Sequence, residues 1–526
     1  MRKILSALAA GAMVCALLLS CTKDFEKINT DPNKLAYGAA SPSSLLEPLL
    51  YGIAVNNQYQ AWFFANELVQ VTAYTAGQTT QIHQYQITDG QWQSQWDNFA
   101  RYGFDAEHMM RQAIARSDKY FEALGLILKV YELSTLSALY GDIPYAEAYQ
   151  QSANTSPAFD SQTRLAEEFI ADLDSAATIL GRHPAVSKTA VDKLYQGNHQ
   201  KWIKFANSLK LRILCRMSGI DDSYWAAIQQ IVDDPIAHPI FAANEDNAVI
   251  AFSDSDPYRS YWGQNSTTEA TFTGHRITST MINMMVQFSG NNALFEDPRL
   301  EIYAKKRGNV WQGSYGGVNT DEFKQYDDGA AVPNFSILTS SATPAFFMEY
   351  SEVLFILAEG VEKGKITVAG QTAKSLYESA VRASIGKWAA IANASPRQLI
   401  VRQSQINELL ANPLAAWGTT KYSSNLELIG CQKFLALYFC GYEVFNEWRR
   451  TEYPVFDIAD GAVSNGYELP TRYGYPNYTV ASNRVHVREA LTRMGGEGAV
   501  NNMHIRLDWS YAALNGAHRR PHPLQQ

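Results

Sequence analysis

Apolar residues recur at spacings of three and four along most of this chain, and that period limits what it can fold into. Leu165, Phe169, Leu173 and Leu180 line one face of a stretch whose other face carries Glu167, Glu168, Asp172 and Asp174. Trp202, Phe205, Leu209 and Ile213 repeat the pattern. So do Phe347, Tyr350, Leu354, Leu357 and Val361, and again Leu428, Cys431, Leu435, Tyr438 and Tyr442. Such stripes read as amphipathic helices that bury one face against neighbours. The same reading places helices near residues 42–72, 92–117, 119–139, 222–232, 278–290, 373–392 and 396–411. Ser395-Pro396 would open the last of these, with Pro at the first helical position. Alternating strand patterns are few, so the expected fold is mainly α with minor β. No low-complexity linker cuts the chain, which argues for a single large domain over several small ones. A helical-repeat signature of roughly 34 residues is not readable.

Composition narrows the class. Charged residues make up 18% and hydrophobic residues 46%, a balance that excludes a disordered chain. Past residue 20 no run of about 18 apolar residues exists, which excludes a polytopic helical membrane protein. A formal charge of −8 argues against nucleic acid as a partner.

The first twenty residues stand apart. Arg2 and Lys3 precede an apolar run from Ile4 to Leu19, the layout of a secretory signal peptide. It ends Leu18-Leu19-Ser20-Cys21, which resembles the lipobox of bacterial lipoproteins. That resemblance implies a signal peptide over 1–20, acylation of Cys21, and a lipidated tether over 21–40. Several acyl chains on one residue hold firmly in a bilayer where one chain binds reversibly. Of five cysteines, Cys215, Cys431 and Cys440 then remain. Cys431 and Cys440, read as sharing a helix, would lie about 13 Å apart, too far for a disulfide. All three are expected to be buried thiols. The segment 510–526, with His518, Arg519, Arg520 and His522, reads as a disordered basic tail.

Long turn-rich stretches, 73–91, 140–161, 233–277, 308–345 and 460–483, separate the helix blocks. Loops of that length are often functional, and these are rich in aromatics. Tyr74, His83, Tyr85, Tyr258, Tyr261, Trp262, Trp311 and Tyr315 are the candidate ligand-binding residues, with Tyr326, Tyr473, Tyr475 and Tyr478 in the same class of loop. An aromatic plane covers the apolar face of a sugar ring while amides and hydroxyls bond its rim. The run Asp256-Pro257-Tyr258-Arg259-Ser260-Tyr261-Trp262-Gly263-Gln264-Asn265 holds both kinds. Any of these rings serves local packing as readily as a ligand. Trp92 and Trp96, four apart within a helix, read as core.

The common catalytic and metal-binding motifs are absent from the sequence. The chain contains no G-x-S-x-G, H-E-x-x-H, C-x-x-C or G-x-x-x-x-G-K-[ST]. Gly495-Gly496-Glu497-Gly498 reads as a turn, and Asp254-Ser255-Asp256 lacks the later ligands of a calcium loop. No catalytic residue, metal ligand or cofactor is called.

Taken in order, several segments resemble the SusD/RagB family of outer-membrane nutrient-binding lipoproteins, in its SusD-like branch. They are Cys21-Thr22-Lys23-Asp24-Phe25-Glu26 with Asn29-Thr30-Asp31-Pro32-Asn33, then Leu139-Tyr140-Gly141-Asp142-Ile143-Pro144-Tyr145, Trp202 through Met217, and Asp297-Pro298-Arg299-Leu300. Phe346 to Glu359, Gln432-Lys433, Glu447-Trp448-Arg449-Arg450-Thr451, Leu469-Pro470-Thr471-Arg472, Tyr475-Pro476 and Asn483 follow. Asn477 stands where the family commonly has an acidic residue, and the tail after Trp509 matches nothing in it. The resemblance implies tetratricopeptide-like helix pairs packed against long irregular loops, with the binding domain over 41–509. It implies a cell-surface protein of the outer membrane that binds oligosaccharides, or peptides in some branches, and hands them to a SusC-like TonB-dependent barrel without catalysis. Within it Asp142, Trp448, Arg449 and Arg450 are expected to be structural. Two other classes remain in view. A lipid-anchored glycoside hydrolase would need two carboxylates roughly 5–9.5 Å apart, and a pure scaffold would pack its loop aromatics away.

Overall fold

Short polar side chains set where the helices begin. In the computed structural model, the Ser41 hydroxyl accepts from the Ser44 N–H at 3.2 Å ahead of α1 (Pro42–Gln60). Pro42 sits in its first turn, where a missing N–H costs nothing. Thr88 and Gln91 cap each other reciprocally to start α2 (Asp89–Ala115). The turn Arg116–Asp118 then reverses the chain into α3 (Lys119–Tyr140). So short a connection lays α2 and α3 side by side as an antiparallel pair. Ser161 and Asn198 cap α4 (Gln162–Arg182) and α5 (His199–Met217), and α6 (Ser223–Asp233) follows. Each of α3, α4 and α5 packs on the one before it. The second half repeats the arrangement with α7 (Tyr350–Glu362) against α8 (Ala373–Ala394), then α9 (Gln403–Ala411), α10 (Asn425–Ala436), α11 (Glu443–Thr451) and α12 (Arg484–Gly495). The mainly α fold of paired helices is therefore as expected.

The structure describes residues 40–74, 82–150, 153–183, 189–317, 328–456 and 469–510. The leader, Cys21, the tether up to residue 39, Tyr326 and the tail after residue 510 lie outside the described residues.

Among the described residues the strands form four antiparallel pairs. These are β1 (Thr72–Tyr74) with β3 (His275–Ile277), β2 (Ala248–Ile250) with β8 (Ala345–Met348), β4 (Val286–Ser289) with β5 (Asn292–Glu296), and β6 (Ala304–Lys305) with β7 (Val332–Pro333).

Buried charge ties the two halves together. The stripe on α4 buries Leu165, Phe169, Leu173 and Leu180 and leaves Glu167 to solvent, but α5 is buried on nearly every side. Its cations therefore need partners. Arg212 makes a bidentate pair with Glu352 of α7 at 2.6 and 2.7 Å, and one guanidinium nitrogen of Arg216 donates to both carboxylate oxygens of Glu443 of α11 at 2.6 and 2.8 Å. Beside them Arg450 bonds Glu359 and Glu447, Lys433 reaches Glu447 at 2.9 Å, and Lys363 reaches Glu359 at 2.6 Å. The structural reading of the family segments fits these contacts. Asp142 pairs with Arg493 at 2.8 Å and accepts the Gln162 N–H at the start of α4. Trp448 stacks on Phe456, and Arg449 donates to the Thr471 carbonyl at 2.8 Å.

Four local expectations are corrected. Phe347 lies in β8, not in the helix that follows, because a continuous apolar run pairs as a strand as easily as it coils. The helix expected over 278–290 ends at Met285, and the chain turns back as the β4–β5 hairpin, with Gly290 at φ 57° in the turn. Ser395 closes α8, its hydroxyl donating to the Ala392 carbonyl at 2.7 Å, so α9 begins only at Gln403. Cys431 and Cys440 do not share a helix, since α10 stops at Ala436 and Cys440 lies in the turn before α11. Cys215, Cys431 and Cys440 are buried free thiols, as expected.

Candidate functional site

The C-terminal end of α1 departs from regular geometry where its sequence becomes aromatic. Ala61–Ala65, the run Ala-Trp-Phe-Phe-Ala, forms a π-helical turn before the chain regains α geometry at Asn66–Leu68. A π turn inserts one residue into the ladder and re-aims the side chains around it, a device often found at functional sites. Beside it β1 pairs with β3 so that Tyr74 faces His275 across the ladder. Two short capped helices complete the wall. Ser260 caps Tyr261–Gln264 and Thr268 caps Glu269–Phe272, and the Tyr261 N–H donates to Gln58 of α1 at 3.0 Å.

These elements enclose a cavity of about 440 Å³, within the usual range for small-ligand sites. Its floor is an aromatic block. Trp62 and Phe272 stack with centroids 3.9 Å apart, and Trp262 stands edge-on to both at 5.6 and 5.1 Å. Half-buried rings line it as well, Tyr261 at 5.3 Å from Tyr59 and 5.8 Å from Phe63, and Tyr74 beside His275. Hydroxyls and amides of Asn265, Ser266, Thr267, Thr268, Thr271 and Gln91 complete the lining.

Glu67 and His275, both buried, lie against each other at this cavity, with His83 behind Glu67. Glu67 lies 2.9 Å from His275 Nδ1 and accepts the His83 backbone N–H at 3.2 Å, and the His275 ring packs 4.4 Å from Trp62 and 4.7 Å from Tyr74. His83 is buried; its Nδ1 accepts from the Gly317 N–H at 3.2 Å, and burial pushes its pKa below the ordinary range against the pull of Glu67. The cavity thus presents ring faces, ring edges, hydroxyls and amides. It suits a neutral amphipathic ligand. Among the described residues no group of three or more His, Cys, Asp or Glu is placed to hold a metal ion.

The candidate residues fall into three sets. Tyr74, Tyr261 and Trp262 come together at this cavity, Trp262 as floor and the two tyrosines as wall. Tyr258 lies elsewhere, beside Tyr51, where two further hollows of about 490 and 620 Å³ meet. His83, Tyr85, Trp311 and Tyr315 line none of these hollows. Tyr85 is buried with its hydroxyl 2.7 Å from the Gln70 amide, and Trp311 is buried under Lys306. Sequence reasoning missed Tyr59, Phe63, Phe272 and the Glu67–His275 pair. The first two look like ordinary core positions in a helix, and their partner Tyr261 lies some two hundred residues away in the sequence.

Residues 32–476 match the model of the SusD-like family described as "Starch-binding associating with outer membrane". No curated protein matches at a significant level. Among solved structures, a protein named chitin-binding protein is 23% identical with a TM-score of 0.74, covering 90% of this chain and 100% of its own. A SusD homologue from Bacteroides fragilis is 22% identical with a TM-score of 0.73, covering 89% and 99%. One from Parabacteroides distasonis is 20% identical with a TM-score of 0.74, covering 90% and 98%. At these identities the structures speak for the fold.

Proposed function

The chain belongs to the SusD-like family, and we propose from that premise that it is a nutrient-capture protein of the outer membrane whose ligand is an oligosaccharide. One observation carries the reading most. The cavity between the π turn and Tyr261–Phe272 combines stackable rings with a hydroxyl and amide rim, while its acid and base, Glu67 and His275, lie buried 2.9 Å from each other. A pyranose offers the complement, an apolar C–H face edged with hydroxyls. The family description names starch, and a relative of the same fold is named for chitin, which supports a neutral glycan.

In this reading Tyr261 and Tyr74 contact the sugar, the buried Trp262 packs edge-on against Tyr261 to hold it in place, and the protein performs no chemistry on the ligand. Acylated Cys21 holds it at the cell surface, and a SusC-like TonB-dependent barrel receives the ligand. Electrophoresis of the acyl-free protein through gels cast with soluble starch or glycol chitin tests the binding. Retarded migration that Tyr261→Ala abolishes is the expected result. Migration unaffected by either polymer counts against it, and release of reducing ends from the polymer would point to a hydrolase.

A further inference from the structure

The aromatic surface does not stop at the first cavity. Tyr51, Val55, Tyr59 and Phe63, each four residues from the last, form a half-buried stripe that runs along α1 into the π turn. At 1.5 Å per residue, Tyr51 and Tyr59 lie about 12 Å apart on one helix face. The segment 258–265 follows the same line. Tyr258 packs edge-on against Tyr51 at 5.5 Å and Tyr261 packs against Tyr59 at 5.3 Å. Two clamps hold the segment to the helix, the Tyr51 hydroxyl donating to the Arg259 carbonyl at 2.6 Å and the Tyr261 N–H donating to Gln58.

At the Tyr51 end the two hollows of about 490 and 620 Å³ share Tyr51 and Tyr258 as walls. Their charges are used internally. Lys193 sits 3.5 Å from Glu47 and 5.2 Å from the Tyr258 ring centre, and Glu47 also accepts the Tyr258 hydroxyl. Asp192 accepts from the backbone N–H groups of Leu194, Tyr195 and Gly197 and from the Trp202 indole. What is left to a ligand is ring surface with the polar side chains of Ser43, Ser44, Gln196, Ser253 and Gln264. Rings with hydroxyls and amides, and no unpaired charge, repeat the chemistry of the first cavity.

We propose that the hollow walled by Tyr51 and Tyr258 is a second saccharide subsite, taking the neutral continuation of a glycan chain whose first part lies against Tyr261 and Tyr74. The proposal rests on the saccharide reading above and adds that the ligand is an extended chain held at two places. Linking two weak contacts through one ligand raises affinity for chains long enough to span them and does nothing for shorter ones.

The test is calorimetric titration of the acyl-free protein with maltooligosaccharides and chitooligosaccharides from disaccharide to hexasaccharide. Tyr258→Ala is expected to lower hexasaccharide affinity about tenfold and to leave disaccharide affinity unchanged. Tyr258→Phe keeps the ring, gives up only the Glu47 bond, and should retain the hexasaccharide affinity. Tyr261→Ala should weaken every length. A Tyr258→Ala protein that binds hexasaccharide like the wild type overturns the second subsite and leaves the first intact. So does equal loss at all lengths in Tyr258→Ala and Tyr258→Phe, which would mean that the 258–265 segment had shifted on α1. Wild-type protein that binds no saccharide of any length defeats the underlying reading, and the subsite with it.

Discussion

Arg450→Met should be among the costliest single substitutions in this protein, and the structure says why. The Arg450 side chain is only 4% exposed and bonds two carboxylates, Glu359 and Glu447, that are 6% and 8% exposed. Methionine fills much of the volume but leaves both anions without their shared cation. Breaking a buried ion pair from one side costs about 3–5 kcal/mol. Here Lys363 still reaches Glu359 and Lys433 still reaches Glu447, so the lower end, about 3 kcal/mol, is expected. Adding Glu359→Gln removes the anion whose remaining cation, Lys363, is the more exposed, and leaves Glu447 matched to the buried Lys433, so about half of the loss should return. Acid sensitivity should move as well. Burial opposes ionisation of both carboxylates, but Arg450 with the neighbouring lysines overrides it, holding Glu447 down to about 2 and Glu359 lower still. Carboxylates depressed in this way stabilise the fold above their unfolded pKa, near 4.3, and that contribution is lost as pH falls through the folded values. Without Arg450 the loss should begin at a higher pH. Urea unfolding followed by tryptophan fluorescence between pH 3 and pH 7 measures both effects. A loss under about 1 kcal/mol, with no recovery in the double variant and no shift in acid sensitivity, would refute the claim that this cluster locks the helix pairs together.

Two further predictions concern His83 and Gly274. His83 must stay neutral for its Nδ1 to accept the Gly317 N–H; the unfolded chain takes up that proton more readily, so stability should fall as pH drops below about 6.5. His83→Asn, whose amide oxygen can replace Nδ1, should flatten that part of the pH profile, and thermal melts across pH 5–8 would show it. Gly274 packs against the cavity wall, where an added Cβ would lie 2.9 Å from the Tyr74 ring and 3.1 Å from the Thr271 carbonyl. The ring is half-buried and can tilt, so Gly274→Ala should cost only about 1 kcal/mol of stability while weakening saccharide binding. Unchanged affinity would remove Tyr74 from the ligand contacts.

How much of this was readable in the sequence follows from the range of the forces involved. The stripe at Leu165, Phe169, Leu173 and Leu180 survives unchanged because a helix period is local and its buried face needs only some neighbour. Phe346–Met348 misled because its strand is defined by a partner at Ala248–Ile250, almost a hundred residues earlier. The aromatic loops were legible as composition, but not as a site. Tyr258 and Tyr261 are three residues apart yet face different hollows, and Trp311 and Tyr85 are spent on packing. Glu67 and His275 gave no signal at all, since they lie far apart in the sequence and only the folded chain brings them together.

The proposed sugar-binding face is Tyr261 with the half-buried rings of Tyr59, Phe63 and Tyr74, backed by the buried Trp62–Phe272–Trp262 block. The most direct measurement is calorimetric titration of residues 22–526 with maltohexaose and chitohexaose, wild type beside Tyr261→Ala, with a mixed peptide pool as control. The account predicts saturable heat with at least one glycan, an affinity about tenfold lower in the variant (about 1.4 kcal/mol, the scale of one aromatic stacking contact) and none with peptides. Binding to peptides alone, or glycan binding indifferent to Tyr261, would contradict it.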